Sequence, residues 1–203
     1  MSRNLPNQIT ISRLVLAVIF FVLLAQYDAA APKWLLDVCF WVFIVAASTD
    51  FVDGYLARKY NAESALGRIL DPFVDKVLLG GAFVFYAGAG FVDGEGRNVT
   101  GVTAWMVVVI FGRELLVTGL RGVSEAQGAA FGANLFGKIK MWCQSIAVGW
   151  VMMSLAHETT TFAHPFWQVG RVVAVYIAVI VTVLSMTTYL RQAYGALRAP
   201  SGA

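Results

Sequence analysis

Charge is what this chain has little of. Asp, Glu, Lys and Arg make up 13% of its 203 residues, where a soluble domain carries about 25%. So low a fraction excludes a large soluble part. The net charge of +3 says little by itself, and no nucleic-acid partner is expected. Cysteine is also scarce. Cys39 and Cys143 both lie in apolar stretches and read as buried thiols. No disulfide framework or C-x-x-C metal motif is present. There is no internal repeat.

What remains is apolar. Hydrophobic residues make up 59% of the chain, and the mean hydropathy is +0.70. The expected fold is all-α, a polytopic membrane protein forming one integral-membrane unit over residues 1–203. A spanning helix takes about 20 mostly apolar residues. Six transmembrane helices are expected on that basis, over 9–27, 34–58, 67–91, 102–121, 138–156 and 166–189. The first apolar run follows Arg3 and Arg13 and precedes Ala29, Ala30 and Ala31, which imitates a signal peptide. A helix starting near Ile9 is long enough to span, and a span is the reading adopted. The Gly-rich stretch 122–137 is expected to be the longest connector, a loop holding at most a short interfacial helix.

Basic residues set the orientation. With a cytoplasmic N-terminus, twelve of the fifteen Lys and Arg residues fall at or near the inner side. Only Lys33, Arg97 and Arg171 fall outside. Both termini are then expected in the cytoplasm, and the protein in the inner (cytoplasmic) membrane.

Four aspartates interrupt this apolar sequence in the pattern D-x2-D-G-x2-A-R-x8-G-x3-D-x3-D. Its positions are Asp50, Asp53, Gly54, Ala57, Arg58, Gly67, Asp71 and Asp75. Residues three or four apart share a helix face, so Asp50 and Asp53 point one way from one helix, and Asp71 and Asp75 from the next. Burying charge in a bilayer costs about 2.5–3.5 kcal/mol per residue on insertion scales, and four like charges cost more. The cluster therefore reads as a metal site. Carboxylate oxygens suit Mg2+ or Mn2+, and four of them suit two ions about 3.5–4 Å apart, which can clamp a diphosphate. Gly54 and Ala57 leave room for a bulky ligand, and Arg58 offers a planar fork to phosphate oxygens.

All eight positions match the signature of the CDP-alcohol phosphotransferases, integral membrane enzymes of phospholipid synthesis, and the family's six-helix architecture matches the expected spans. The stretch Leu5 to Arg13 resembles the phosphatidylglycerophosphate synthase branch. So do Gly112-Arg113-Glu114-Leu115-Leu116 with Gly119-Leu120-Arg121, and Gly137-Lys138-Ile139-Lys140 with Gln144. Met141 stands where that branch usually has threonine. The resemblance implies transfer of a phosphatidyl group from CDP-diacylglycerol to sn-glycerol 3-phosphate, giving phosphatidylglycerophosphate and CMP. It implies a homodimer, for which Gly80-Gly81 or Gly88-Ala89-Gly90 would permit close helix contact. It places Asp50, Asp53, Asp71 and Asp75 on the two metal ions, with Asp75 also the general base for the glycerol hydroxyl. Asp53, Gly54, Ala57, Arg58 and Gly67 then hold the CDP group.

A phosphorylated acceptor needs a second basic site. Arg113, Arg121 and Lys138 are the expected residues, although Arg113 and Glu114 can instead pair structurally. Lys140 is assigned to positive-inside anchoring. Two rivals remain. One is an enzyme of the same family with another acceptor, such as phosphatidylglycerol, inositol phosphate or serine. The other is a divalent-cation transporter. It would need polar positions continuing outward, but 34–47 is polar only at Asp37 and 77–89 has no charge.

Overall fold

A computed structural model describes the backbone of residues 5–28, 30–60, 65–126, 135–159 and 164–198, and side chains within 11–28, 30–49, 73–124, 135–159 and 164–191. Six α-helices carry these residues: α1 (Leu5–Ala25), α2 (Trp34–Tyr60), α3 (Ala65–Tyr86), α4 (Ala104–Ala126), α5 (Leu135–Ala156) and α6 (Pro165–Arg198). A 3-10 turn, Ala89–Phe91, follows α3. Among the described residues there is no β-strand, only an isolated bridge between Val92 and Asn98.

Local chemistry sets the ends. Pro165 opens α6, where its missing N–H costs nothing and His164 Nδ1 accepts the Phe166 N–H at 3.1 Å. The third helix stops at Tyr86, five residues short of the expected end at residue 91. Its last carbonyl is captured from outside: Tyr86 O accepts from Asn98 Nδ2 at 2.7 Å and from Thr100 Oγ1 at 3.0 Å. In the loop that follows, Asp93 accepts the backbone N–H groups of Arg97 and Glu95. These bonds, that of Arg97 first, hold its carboxyl below the ordinary range. The expected connector over 122–137 is shorter than the sequence suggested. Helix α4 runs on through Ala126 and α5 begins at Leu135, while 127–134 lie outside the described residues.

Helix α3 packs against α1, α4 and α5; α2 packs against α1 and α5; α6 packs against α4 and α5. Aromatic pairs mark the seams. Phe20 meets Phe43 at 5.8 Å between ring centroids, Phe21 meets Phe85 at 5.7 Å, and Tyr27 meets Phe91 at 4.7 Å. Tyr86 donates from α3 to the Val148 carbonyl of α5 at 2.8 Å. The glycines expected to serve contact between copies are used within the chain. A Cβ on Gly80 would lie 2.7 Å from the Phe111 ring, Gly81 lies under Phe21, and a Cβ on Gly90 would lie 2.5 Å from the Tyr27 carbonyl oxygen.

Around an apolar core, exposed apolar residues and buried polar ones set this bundle apart from a soluble one. Helix α6 exposes Phe166, Val169, Val173, Ile177, Ile180 and Leu184, while Arg13, Arg113, Lys140, Gln144, Thr182 and Ser185 are buried. By length and composition, α5 and the Pro165–Arg191 part of α6 can cross a membrane. Ile11–Ala25 and Trp34–Thr49 are shorter apolar helical stretches.

Candidate active site

The aspartate motif lies on two helices. Helix α2 carries Asp50, Asp53, Gly54, Ala57 and Arg58, and α3 carries Gly67, Asp71 and Asp75. The helical spacing on which the shared faces depend is therefore present in the backbone. The side chains of Asp50, Asp53, Gly54, Ala57, Arg58, Gly67 and Asp71 lie outside the described residues, and Asp75 alone represents the motif at that level. Among the described residues no three His, Cys, Asp or Glu side chains come together. The donor set itself is all oxygen and anionic, which fits a hard divalent cation.

Asp75 has a partner from α1. Arg13 Nη2 donates to Asp75 Oδ1, with the Arg13 side chain 2% exposed and that of Asp75 27% exposed. In the sequence Arg13 reads only as an N-terminal signature residue and an inner-side charge. The available signal was an arginine one turn inside an apolar helix, which needs an anion nearby.

Asp75 also lines a cavity of about 470 Å³ between α2, α3 and α5. Phe40, Phe43, Leu78, Leu79, Ile146 and Gly149 form much of its wall, and Ser48 and Ser145 are among its few polar side chains. Trp150 and Trp167 also line it, their rings tilted at 39° with centroids 5.3 Å apart, and the Trp150 indole Nε1 donates to the Trp167 carbonyl at 3.3 Å. Along α5 the lining runs from Met141 to Ser154, about 20 Å at 1.5 Å per residue. The cavity thus joins the Arg13–Asp75 pair to a long, mostly apolar interior.

A second polar cluster lies between α4, α5 and α6. Arg113 Nε donates to Ser185 Oγ at 3.0 Å, and Arg113 Nη1 to Glu114 Oε1 at 3.0 Å. The guanidinium carbon sits 5.2 Å from the centre of the Tyr189 ring. Lys140 Nζ reaches the same Glu114 Oε1 at 2.6 Å. Gln144 donates to Thr182 Oγ1 at 2.9 Å beside this cluster. On its border Lys76 Nζ donates to Thr118 Oγ1, and Thr118 Oγ1 to the Glu114 carbonyl, each at 2.6 Å.

The three residues expected at the acceptor phosphate therefore separate. Arg113 is buried in the cluster, whereas Arg121 and Lys138 are exposed, near the end of α4 and the start of α5. Lys140, assigned to surface anchoring, is instead 5% exposed and ion-paired. The tool that would have found it is charge balance. Glu114 is the lone acid of the expected span 102–121, and it has to meet a cation.

Comparison with known proteins agrees with this architecture. The family described as CDP-alcohol phosphatidyltransferase matches residues 3–191. The chain is 37% identical to a CDP-diacylglycerol–glycerol-3-phosphate 3-phosphatidyltransferase of Bacillus subtilis, over 96% of this chain and 97% of that protein. It is 28% identical to the protein of the same name from Haemophilus influenzae, over 97% of each. It is 31% identical to a probable phosphatidylglycerophosphate synthase of Mycobacterium tuberculosis, over 94% of this chain and 81% of that one. A family match over nearly the whole length, on a helical bundle that buries Arg13, Arg113 and Lys140 and carries the aspartate motif on two consecutive helices, makes this chain a member of the CDP-alcohol phosphatidyltransferase family.

Proposed function

We infer that this protein transfers a phosphatidyl group from CDP-diacylglycerol to sn-glycerol 3-phosphate, releasing phosphatidylglycerophosphate and CMP. The reaction suits relatives of that name and the chemistry of the site. One observation carries the reading furthest: Asp75, held by Arg13, stands at a mostly apolar cavity long enough for a lipid chain. A lipid-linked diphosphate has the same two-part character, ionic at one end and apolar at the other.

Asp50, Asp53, Asp71 and Asp75 would hold two Mg2+ or Mn2+ ions, whose chemistry is to neutralise diphosphate oxygens and the developing charge of the leaving group. Asp53, Gly54, Ala57, Arg58 and Gly67 bind the CDP group, the small residues giving it room against α2. Asp75 takes the proton from the acceptor hydroxyl as that oxygen bonds to the lipid-linked phosphorus. The bond from phosphorus to the CMP oxygen breaks, and CMP leaves. Arg13 orients the Asp75 carboxylate throughout. Arg113 holds the acceptor phosphate, assisted from the rim by Arg121 and Lys138.

The chain acts as one unit over residues 1–203 in the inner (cytoplasmic) membrane. Six spans place both termini and the site on the cytoplasmic side, and the protein works as a homodimer. The exposed apolar face of α6 supports the bilayer setting.

The test is direct. Purified protein is incubated with CDP-diacylglycerol, Mg2+ and a panel of radiolabelled acceptors. Glycerol 3-phosphate is expected to be used best. Preference for serine, inositol phosphate or phosphatidylglycerol would overturn the acceptor assignment and leave the metal chemistry standing.

A further inference from the structure

We propose that Glu114 is a positioning residue of the acceptor site, setting the separation of Arg113 and Lys140 so that both cations meet the acceptor phosphate. The proposal rests on the reading that Arg113 grips that phosphate. Its ground is one oxygen shared by two cations. Glu114 Oε1 receives Arg113 Nη1 at 3.0 Å and Lys140 Nζ at 2.6 Å. Arg113 comes from α4 and Lys140 from α5, and the side chains of both are 6% exposed, that of Glu114 12%. The arrangement is anchored elsewhere too. Ser185 Oγ accepts a hydrogen bond from Arg113 Nε–H, and Tyr189 lies against the guanidinium.

The charges do not balance. Among the described residues, two buried cations face one carboxylate, and Lys76 from α3 lies near enough to Lys140 to repel it. A surplus of buried positive charge is unfavourable, and a phosphate monoester supplies the missing negative charge. Its place is also suitable. Lys76 follows Asp75 in the chain and Lys140 precedes Met141, and Asp75 and Met141 line the same cavity. A phosphate on this cluster therefore leaves its glycerol hydroxyl on the Asp75 side. Without Glu114 the two cations would repel; Arg113 would keep Ser185 and Tyr189, but Lys140 would lose its anchor and the separation of the pair would no longer be set.

The test uses the full-length enzyme in detergent with CDP-diacylglycerol and Mg2+. It measures kcat, both KM values and the thermal midpoint for the unaltered protein and for the R113Q, E114Q, E114D and K140M variants. E114Q is expected to raise KM for glycerol 3-phosphate by about ten-fold or more, the factor carried by one charge-assisted hydrogen bond. Its KM for CDP-diacylglycerol should change little, and combining E114Q with K140M should cost much less than the product of the two single effects. E114D keeps the charge but cannot reach both cations, so it should raise the same KM to a smaller extent, and it carries the test if E114Q does not fold. An unchanged KM for glycerol 3-phosphate in both Glu114 variants would overturn the proposal. So would a parallel rise in both KM values with a lowered thermal midpoint, which would make Glu114 a staple between α4 and α5. R113Q separates the layers. If it leaves the acceptor KM unaltered, the acceptor site is elsewhere; if it raises that KM while the Glu114 variants do not, only the role of Glu114 fails.

Discussion

Arg13 of α1 and Asp75 of α3, 62 residues apart in sequence, form an ion pair at the wall of the cavity. The pair ties the first helix to the last aspartate of the motif. Helix α1 is thereby part of the site, although the motif lies wholly on α2 and α3. Arg13 is almost fully buried, and Asp75 supplies negative charge beside it.

Arg13→Gln should therefore impair both folding and transfer. Removing one partner of a buried pair costs about 3–5 kcal/mol, and the partial exposure of Asp75 puts this case near the lower end. A lower thermal midpoint in detergent, together with loss of phosphatidyl transfer, is the expected result. A variant with unaltered stability would mean that the pair does not hold α1 to α3.

Asp71→Asn is the contrasting case. It removes a ligand charge without changing volume, so transfer should be abolished while the protein stays folded. Chelation by EDTA should stop the unaltered enzyme, and Mg2+ or Mn2+ should restore it. Near-normal turnover by the Asn variant would end the two-metal reading.

The acceptor residues should differ in weight. Arg113→Gln removes a buried guanidinium, and hydrogen bonds to charged groups are worth about 1.5–3 kcal/mol. The expected loss in efficiency toward glycerol 3-phosphate is roughly ten- to hundred-fold. Arg121→Gln and Lys138→Gln, at exposed positions, should raise the acceptor KM by a smaller factor. Steady-state kinetics with each substrate varied in turn would reveal a reversed order.

The cavity makes a prediction about chain length. Ser145→Trp fills space between α2 and α5. It should raise KM for CDP-diacylglycerol with long acyl chains and spare a short-chain analogue. Equal effects on both would detach the cavity from the lipid.

Topology can be read by labelling. A cysteine introduced at Asn61, which lies outside the described residues, should react from the cytoplasmic side, and one at Gly94 from the opposite side. Reaction of both from one side would contradict six spans.

The sequence by itself determined the features that repeat within a few residues. An apolar run long enough for a helix and aspartates spaced three and four apart are both local, and α-helical geometry converts that spacing directly into a shared face. Those features established the helical class, the approximate helix positions and the family signature. The tertiary structure decided what lies between helices. The Tyr86 carbonyl ends α3 because Asn98 and Thr100 fold back onto it. Lys140 joins Glu114 across 26 residues, and Arg13 joins Asp75 across 62. No periodicity links such residues, because their meeting depends on which helix faces pack together. A charge inside an apolar span announces that it needs a partner, and only the packed bundle shows which one it has.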